Sequence, residues 1–489
     1  MMHNKPGSRV QTAARAFCWL AAALACAALW GCAATGPQPR SYEELRFEQD
    51  LTWQEPEVRT FAMDNGVRFF LVQDRELPLV TVEVLARGGE FAEPEGLEGL
   101  ARITAEAMRN GGSRKHPAQE LNRLLENNAA QMDISFDFIS GSAKLNVLSR
   151  DLDDALPVFT DVLAHPAFPE DKVMLAKQHL RTSIARRNDN QGEIAFREFK
   201  QLLYGEDSLY ARVPQYATVK AIDREDLRRF HSRTFRGPNL LVGVVGDFDP
   251  DRIEGKLRRA FSVFPGGGGR SIDLPRMGDP FEPGIHVADK PDVNQSFILM
   301  GHLGDRRQNP DYAALQVMDK ILSGGFSGRL FQTIRSEKGL AYAVFGRFGC
   351  EYYYPGMFFV GLKTKTGQTA LAIREVRSVL RRLKEEGVSR KELERAKDQF
   401  FNSLVFRFDK PEEILGRRMH YEYRNMPADS FDRLIEDVRE VTVQDVQRVA
   451  REYIRMERME TLVVGQGDEL RPQLKKLAPV KEVDITIPK

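Results

Sequence analysis

The chain has 489 residues, of which 42% are hydrophobic and 29% are charged, values typical of a folded protein with two to four domains. Its 71 Lys and Arg residues balance 70 Asp and Glu residues, so no net charge favours nucleic acid or an acidic surface as a partner. The sequence also lacks a phosphate-binding Gly-x-x-x-x-Gly-Lys loop and a dinucleotide fingerprint, which argues against these two nucleotide-binding classes.

Residues 1–32 have the organisation of a bacterial signal peptide. Three basic residues precede an apolar run, Ala16–Trp30, which is shorter than the about 20 residues of a membrane-spanning helix. The residues that end at Cys32 resemble a lipobox, in which the cysteine is lipid-modified and becomes the mature N-terminus. A secretory signal with an incidental cysteine is the alternative interpretation.

The lipid anchor predicts a location in the bacterial cell envelope. Ala33 occupies the position where Asp would resemble an inner-membrane retention signal, so we expect attachment to the outer membrane, facing the periplasm. Residues 33–47, which begin with a Gly- and Pro-containing stretch, would form the tether. Removal of the signal and acylation of Cys32 would leave Cys350 alone, so no intrachain disulfide is expected.

Strand and helix patterns alternate along the predicted N-terminal domain, residues 48–263. Runs rich in β-branched and aromatic residues predict strands, and apolar residues spaced by three and four predict helices. The predicted strands are Val67–Val72, Leu79–Ala86, Met132–Asp137 and Ser142–Leu148, and the predicted helices are Gly96–Arg109, Ala118–Asn128, Arg150–Leu163 and Glu170–Arg187.

A Gly-rich run at residues 264–271 is predicted to be a flexible linker. The predicted C-terminal domain, residues 272–489, then repeats the alternation of strands and helices. The predicted strands are Gln295–Gly301, Val344–Cys350 and Gly356–Leu362, and the predicted helices are Tyr312–Leu322, Gly328–Glu337, Ala370–Glu386 and a long helix from a capping box at Ser389 through Val405.

The ends of the two halves match each other. Asp223 and Thr442 each open a helix with a capping box and lie 219 positions apart. The same offset separates the strand residues Val244 and Val463. This ungapped match indicates a duplicated unit. We therefore predict an α+β fold of two similar α/β-sandwich halves, each an antiparallel or mixed sheet covered by helices, joined by the Gly-rich linker.

The helix at Gly96–Arg109 resembles the zinc helix of the insulinase/pitrilysin metallopeptidases, whose pattern is Gly-Leu-Ala-His-x-x-Glu-His-Met. Aligned on Gly99, the two zinc-binding His positions and the general-base Glu position are Arg102, Glu106 and Ala105, respectively. The apolar surroundings of the motif are kept and its chemical groups are replaced. The resemblance, which spans the chain from about Glu48 onward, implies a duplicated insulinase-like fold with a degenerate zinc site.

The family's third zinc ligand is a Glu that aligns with Ser183, six residues before Asp189. A serine hydroxyl is a poor substitute for a carboxylate on zinc. A zinc helix also needs two imidazoles one turn apart, and no two His residues after the signal are three or four positions apart. We therefore predict no metal in this chain, and we interpret Arg102 and Glu106 as a solvated or pocket-lining charged face rather than a new acid–base pair.

Residues 327–342 resemble the C-terminal-domain signature of bacterial and mitochondrial-processing-peptidase-like members of the family. The resemblance implies that Arg335 and Tyr342 reach across to a zinc half, hold the substrate and stabilise the tetrahedral intermediate. A guanidinium offers a fixed fork of donors, and a phenol can donate to a developing oxyanion. The structural alternative is that Arg335 caps a helix and Tyr342 is half-buried packing.

Some bacterial members of the family act as unlike pairs, in which one subunit carries the zinc motif and the other the Arg/Tyr pair. The resemblance predicts that this chain is the second kind, inactive by itself and anchored in the envelope. Zinc is then expected on the homologous partner subunit of a heterodimer. The substrate would be an unfolded peptide that adds a strand to an exposed sheet edge.

Two alternatives remain open at this point. The chain could be a non-catalytic peptide-binding or assembly scaffold of the bacterial envelope, because family members without catalysis serve as structural subunits of respiratory complexes. It could also be an active zinc peptidase with non-standard ligands, which is the weakest hypothesis because no other metal cluster replaces the missing one.

Overall fold

The structure is a computed structural model that describes residues 57–269, 271–278, 280–405 and 410–489. The predicted signal peptide, the tether and Cys32 lie outside the described residues. Within those ranges, no helix combines the length and the apolar character needed to cross a bilayer.

In the described part of the chain, the strands form two six-stranded sheets and one short pair. They are β1 Arg59–Ala62, β2 Arg68–Gln73, β3 Leu79–Arg87, β4 Gln131–Phe136, β5 Ser140–Leu148, β6 Leu240–Gly246, β7 Ile285–Asp289, β8 Gln295–Leu303, β9 Asp305–Arg306, β10 Ala341–Phe348, β11 Cys350–Glu351, β12 Met357–Lys365, β13 Glu460–Gly465 and β14 Val480–Val483.

Helices connect and cover these strands. They are α1 Leu100–Gly111, α2 Ala118–Asn127, α3 Leu152–Ala164, α4 Glu170–Ala185, α5 Gln191–Tyr204, α6 Tyr216–Ala221, α7 Arg224–Thr234, α8 Pro250–Phe261, α9 Tyr312–Ser323, α10 Thr369–Glu386, α11 Arg390–Val405, α12 Pro411–Tyr423, α13 Ser430–Glu440, α14 Val443–Tyr453 and α15 Gly467–Leu474. A π-helical segment, Phe331–Glu337, precedes β10.

The two sheets have related topologies. The first has the order β1-β2-β6-β3-β5-β4, and the second has the order β14-β7-β13-β8-β12-β10. In each sheet, one inner pair is parallel, β2 with β6 and β7 with β13, and the strands from there to the β4 or β10 edge are antiparallel. At the other edge the sheets differ, because β1 is antiparallel to β2 whereas β14 is parallel to β7. The predicted α+β fold with two similar halves is confirmed.

The capping boxes used to recognise the duplication are formed. The side chain of Asp223 accepts from the N–H of Asp226, and that of Thr442 accepts from the N–H of Asp445. In both cases, the carboxylate at the third helical position accepts from the backbone N–H of the capping residue. These bonds satisfy donors that a helix N-terminus leaves unpaired, which explains why both copies keep the pattern.

One face of each sheet packs against helices of its own half. Phe69 and Val82 of the first sheet share a core with Ile103 of α1. In the second sheet, Ile298 shares a core with Val317 of α9. All these side chains are buried because the strands and helices present apolar residues to each other at their own periodicities.

The other face of each sheet is covered by a helix from the opposite half. Helix α5 packs its buried Ile194 and Phe199 on Leu299 of the second sheet. Helix α12 packs its buried Met419 on Val245 of the first sheet. We call α5 and α12 the exchanged helices. Neither is among the elements predicted from the sequence.

Hydrogen bonds fix both exchanged helices at their ends. The hydroxyl of Tyr204, the last residue of α5, donates to the carbonyl of Pro355 at 2.9 Å, and that of Tyr423, the last residue of α12, donates to the carbonyl of Ile139 at 2.6 Å. Each acceptor lies just before the strand next to the edge of the opposite sheet, β12 or β5. The two halves therefore hold each other by equivalent contacts in both directions.

Several predicted elements differ in detail. Helix α1 begins at Leu100 and not at Gly96, because Gly99 has a φ of 101° and forms a turn before the helix. The helix predicted at Gly328–Glu337 contains the π-helical segment, and the strand predicted to end at Cys350 ends at Phe348.

The Gly-rich linker is bound to the first half along part of its length. The guanidinium of Arg236 donates to the carbonyls of Gly266 and Gly267, and Phe264 is buried in the first core. These contacts oppose the predicted flexibility at those positions. The domain boundaries at residues 263 and 272 stay a prediction.

Replacing Phe199 by Ala should lower the free energy of unfolding by about 3–5 kcal/mol, because this fully buried ring joins an exchanged helix to the opposite sheet. Chemical denaturation followed by circular dichroism and by tyrosine fluorescence measures the change. Met174→Ala, at a position that is 65% exposed, is the control and should shift stability by less than about 0.5 kcal/mol. A Phe199→Ala variant as stable as the control would contradict the role of the exchange.

Candidate functional site

A buried carboxylate, Glu93, positions helix α1, which carries the degenerate zinc motif. It accepts hydrogen bonds from the backbone N–H groups of Ala101 at 2.7 Å and Gly99 at 3.1 Å. These donors belong to the first turn of the helix, where no intrahelical acceptor exists. Glu93 therefore anchors the start of α1 from outside the helix.

The environment of Glu93 is unusual for an acid. Burial raises the pKa of its carboxyl from 4.5 to about 8, against the lowering effect of the two backbone donors. The neighbouring carboxylates Glu90 and Glu98 raise it further. The Glu93 carboxyl at the start of the helix therefore changes its protonation state near pH 8.

Helix α1 is buried on most of its circumference and leaves one charged face. Ala105 is 4% exposed, whereas Arg102 is exposed and Glu106 is half-buried. Arg102 donates a long hydrogen bond of 3.4 Å to the hydroxyl of Ser183 on α4. The structure thus brings the four degenerate motif positions to one place, where α1 faces α4.

Glu106 pairs with His179 and not with Arg102. The Nδ1 atom of His179 donates to Oε1 of Glu106 in a short contact. His179 lies one helical turn before Ser183, so both side chains share the face of α4 that meets α1. His179 is not among the site residues predicted from the sequence, although its i,i+4 spacing from Ser183 was a signal that could have identified it.

These side chains do not form a metal site. In the described part of the chain, no group of three His, Cys, Asp or Glu residues is placed to hold a metal ion. The His179 ring donates to the Glu106 carboxylate, so these two possible ligands are engaged with each other, and the Arg102 guanidinium beside them is a positive charge that opposes a bound cation. The residues at this site do not fit zinc.

A groove of about 370 Å³ runs beside this cluster. Arg102, Glu106 and Arg109 of α1 form one wall, and residues 133–136 of the edge strand β4 form another. β4 pairs with β5 along one side, and its other side forms the edge of the sheet. An extended peptide can pair with such an edge through main-chain hydrogen bonds.

The Arg335 and Tyr342 side chains form a second cluster in the C-terminal half. The guanidinium carbon of Arg335 lies 4.8 Å from the ring centres of both Phe331 and Tyr342. The π-helical segment that carries Arg335 is a geometry often found at functional sites. The aromatic rings hold the guanidinium in place by cation–π contacts.

This second cluster is open to solvent. The Tyr342 side chain is 82% exposed on the edge strand β10, which argues against the half-buried packing considered as an alternative. Phe326, which is 75% exposed, meets Phe331 edge to face at 4.9 Å. Arg335 and Tyr342 therefore lie in an exposed aromatic and cationic patch beside an unpaired sheet edge.

The two clusters occupy related places in the duplicated fold. The first borders β4 and the second lies on β10, which are the corresponding edges of the two sheets. Among the described residues, no hydrogen bond, ion pair or ring contact joins Arg335 or Tyr342 to the Arg102–Glu106 cluster.

Other titratable groups have structural surroundings. Burial lowers the pKa of His231 and of His302 to about 4, and the backbone carbonyls of Leu163 and Leu303 accept their ring N–H groups. Burial raises the pKa of the Cys350 thiol to about 12, so this free cysteine is not a thiolate near neutral pH.

Two models of one peptidase family match the chain. The family model described as insulinase (peptidase family M16) matches residues 68–213, and the model described as peptidase M16 inactive domain matches residues 221–400. The first match contains the degenerate motif, and the second contains Arg335 and Tyr342.

Two curated relatives illustrate the sequence similarity. The chain is 24% identical over 377 residues to a non-peptidase homolog, YmxG, of Helicobacter pylori, covering 76% of this chain and 85% of the relative. It is also 24% identical over 348 residues to an uncharacterized zinc protease of Rickettsia bellii, covering 70% of this chain and 82% of the relative.

Solved structures share the fold. A peptidase M16 inactive domain from Pseudomonas fluorescens superposes with a TM-score of 0.74 at 24% identity, covering 84% of this chain and 98% of that chain. A protease from Helicobacter pylori superposes with a TM-score of 0.74 at 19% identity, covering 84% of this chain and 100% of that chain.

The raised pKa of Glu93 predicts a pH dependence of stability. Between its unfolded value of 4.5 and its folded value of about 8, the folded state holds a proton that the unfolded state releases, so this group's contribution falls as pH rises. Glu93→Gln keeps an acceptor oxygen for the helix N–H groups and removes this titration. Relative to the variant, the native chain should lose on the order of 1–3 kcal/mol between pH 5 and pH 8.

Denaturant unfolding at several pH values measures this difference. Glu95→Gln, at an exposed position two residues away, should leave the pH profile of the native chain unchanged. Parallel profiles for the native chain and Glu93→Gln would show that the buried carboxyl does not titrate in this range.

Proposed function

Because the chain belongs to the insulinase (M16) peptidase family, we propose that it is the non-catalytic subunit of a heteromeric zinc peptidase and supplies Arg335 and Tyr342 to a partner's site. The single observation that carries this proposal is the division of the chain. The first half has lost its zinc donors, whereas the second half keeps the exposed Arg335–Tyr342 cluster.

The replaced motif supports a chain without catalysis of its own. The Arg102 guanidinium and the Glu106–His179 pair fill the place of the zinc donors with side chains that satisfy one another. Ala105 stands where the general base would be, so no group remains there to activate water. The name of the Helicobacter pylori relative, a non-peptidase homolog, is in line with this interpretation.

The open sheet edges support peptide binding. A peptide could pair with the β4 edge in the groove lined by Arg102 and Glu106, or with the β10 edge beside Tyr342. Main-chain hydrogen bonds along an edge select an extended chain with little preference for sequence. Unfolded peptides are therefore the expected substrate class.

Arg335 and Tyr342 have the chemistry of transition-state partners. The Arg335 guanidinium, held between two rings, can donate to a substrate carbonyl or carboxylate. The exposed hydroxyl of Tyr342 can donate to an oxygen that becomes negative as the peptide bond is attacked. Zinc on the partner would activate the attacking water.

The proposal includes attachment to the cell envelope through Cys32, in the outer membrane and facing the periplasm. Replacing Cys32 by Ser should abolish incorporation of labelled fatty acid and move the chain from the membrane fraction to the soluble periplasmic fraction. Metabolic labelling and cell fractionation measure both effects, with Cys350→Ser as the matched control. A Cys32→Ser variant that still incorporates fatty acid and stays in the membrane would contradict lipidation at this residue.

The contribution to catalysis is tested with a co-purified homologue that has an intact His-x-x-Glu-His motif. The pair should cleave an unfolded peptide, and neither subunit should do so alone. Arg335→Ala should lower kcat/KM of the pair by about 10²–10³-fold, and Tyr342→Phe, which keeps the ring over the guanidinium, should lower it by about tenfold or more. Arg390→Ala, at an exposed position on α11, is the control.

Other outcomes distinguish the alternatives. Full activity of the pair with both Arg335→Ala and Tyr342→Phe would exclude the proposed role of these residues. Peptide binding without cleavage, with or without a partner, would favour a scaffold. Stoichiometric zinc in the isolated chain, together with chelator-sensitive proteolysis, would instead favour a self-sufficient peptidase with other ligands.

A further inference from the structure

A groove of about 510 Å³ lies on the helix-covered side of the second sheet. It is formed where α10 lies beside the first residues of β7 and β13. In the order of the sheet, β8 and β12 separate these strands from β10. The groove is therefore distinct from the Arg335–Tyr342 cluster.

Three arginines of α10 line this groove. Arg374, Arg377 and Arg381 are spaced by three and four residues, so their side chains project from one face of the helix. Within the described residues, none of the three guanidinium groups forms an ion pair or a hydrogen bond with another side chain. Unpaired cations on one face are a ready site for an anion.

Arg377 shows most clearly that positive charge is left uncompensated. Its side chain is half-buried, and burial together with the charge of Arg381 lowers the pKa of its guanidinium. Among the residues that the structure describes, no acidic neighbour raises this pKa. A half-buried guanidinium without a counter-ion carries a desolvation cost that an anionic ligand would offset.

The remainder of the lining is mostly apolar. Ile285, Ile373 and Met459 are buried at the floor, and Phe281 and Met456 contribute to the sides. A groove of this volume, with an apolar floor and a few convergent charged groups, has the usual composition of a small-molecule site.

The charges of the lining select among anions. Glu457 is the one acidic residue among the lining residues that the structure describes, so the three arginines leave two positive charges in excess. A phosphate monoester carries about −1.5 to −2 charges at pH 7 and offers several acceptor oxygens to guanidinium groups. A carboxylate carries a single charge and would leave part of the excess unpaired.

This cationic face is a particular property of α10 and not of the duplicated fold. The corresponding helix of the first half is α3. It follows β5, which pairs with the edge strand β4, just as α10 follows β12, which pairs with the edge strand β10. It contains Asp153, Asp154 and Asp161 and no Lys or Arg. The arginines are therefore not required for covering a sheet in this architecture.

We propose that this groove binds a small amphiphile with a phosphate monoester group. The phosphate contacts Arg374, Arg377 and Arg381, and the hydrocarbon part of the ligand lies against the apolar floor.

Calorimetric titration of the full chain with octyl phosphate tests this proposal. Octyl phosphate should bind at least tenfold more tightly than inorganic phosphate, which lacks the chain, and than octanol, which lacks the charge. Arg377→Gln should weaken binding of octyl phosphate about tenfold, because hydrogen bonds to charged groups are involved. The triple variant Arg374→Gln, Arg377→Gln, Arg381→Gln should weaken it more than 30-fold.

The matched control removes three positive charges from exposed positions of the adjacent helix α11. Arg390→Gln, Lys391→Gln, Arg395→Gln should leave the affinity within twofold of the native chain. Equal weakening by both triple variants would reduce the effect to net charge and overturn the site. Equal binding of inorganic phosphate and octyl phosphate would overturn the apolar part of the proposal.

Folding of the variants is checked by circular dichroism. If the groove triple variant does not fold, the double variant Arg374→Gln, Arg381→Gln, at two exposed positions, replaces it and should still weaken octyl phosphate more than tenfold. Unchanged affinity in a folded double variant would overturn the proposal.

Discussion

The reciprocal packing of two helices on the opposite sheets is the constraint on which the rest of the structure depends. Each sheet has one face covered by its own half and the other by α5 or α12, so neither half buries both faces of its sheet alone. The hydroxyls of Tyr204 and Tyr423 fix the ends of these helices to backbone carbonyls that lie just before β12 and β5 of the opposite sheets. An uncovered apolar sheet face would be costly in water, which gives a physical reason for both halves to stay together.

This arrangement places the two candidate clusters on equivalent sheet edges. The exchanged helices cover the faces of the sheets and leave the β4 and β10 edges unpaired. The Arg102–Glu106 cluster borders one edge, and Arg335 and Tyr342 border the other. In the first cluster, Glu106 pairs with His179 and Arg102 bonds to Ser183, whereas Tyr342 of the second cluster is exposed to solvent. The same architecture thus supports a self-satisfied site and an open one.

Much of the local structure could be predicted because short-range physics dominates it. The capping boxes at Asp223 and Thr442 depend on residues three positions apart, and both form as expected. Helix α1 and strand β4 were likewise predicted from the spacing of their apolar residues. The exchanged helices were not predicted, because each one packs its apolar face on a sheet whose strands lie far away in the sequence. The Glu106–His179 pair was missed for the same reason, because it joins residues 73 positions apart.

The sequence by itself determined the duplication, the loss of the zinc donors and the family-like Arg335–Tyr342 segment, because each of these depends on residue identity and local spacing. Tertiary structure decided which sheet each of α5 and α12 covers, which partner Glu106 takes, and that Arg374, Arg377 and Arg381 line one groove with no ion pair to any residue that the structure describes. These outcomes depend on which distant surfaces meet when apolar area is buried, and a linear pattern does not contain that information.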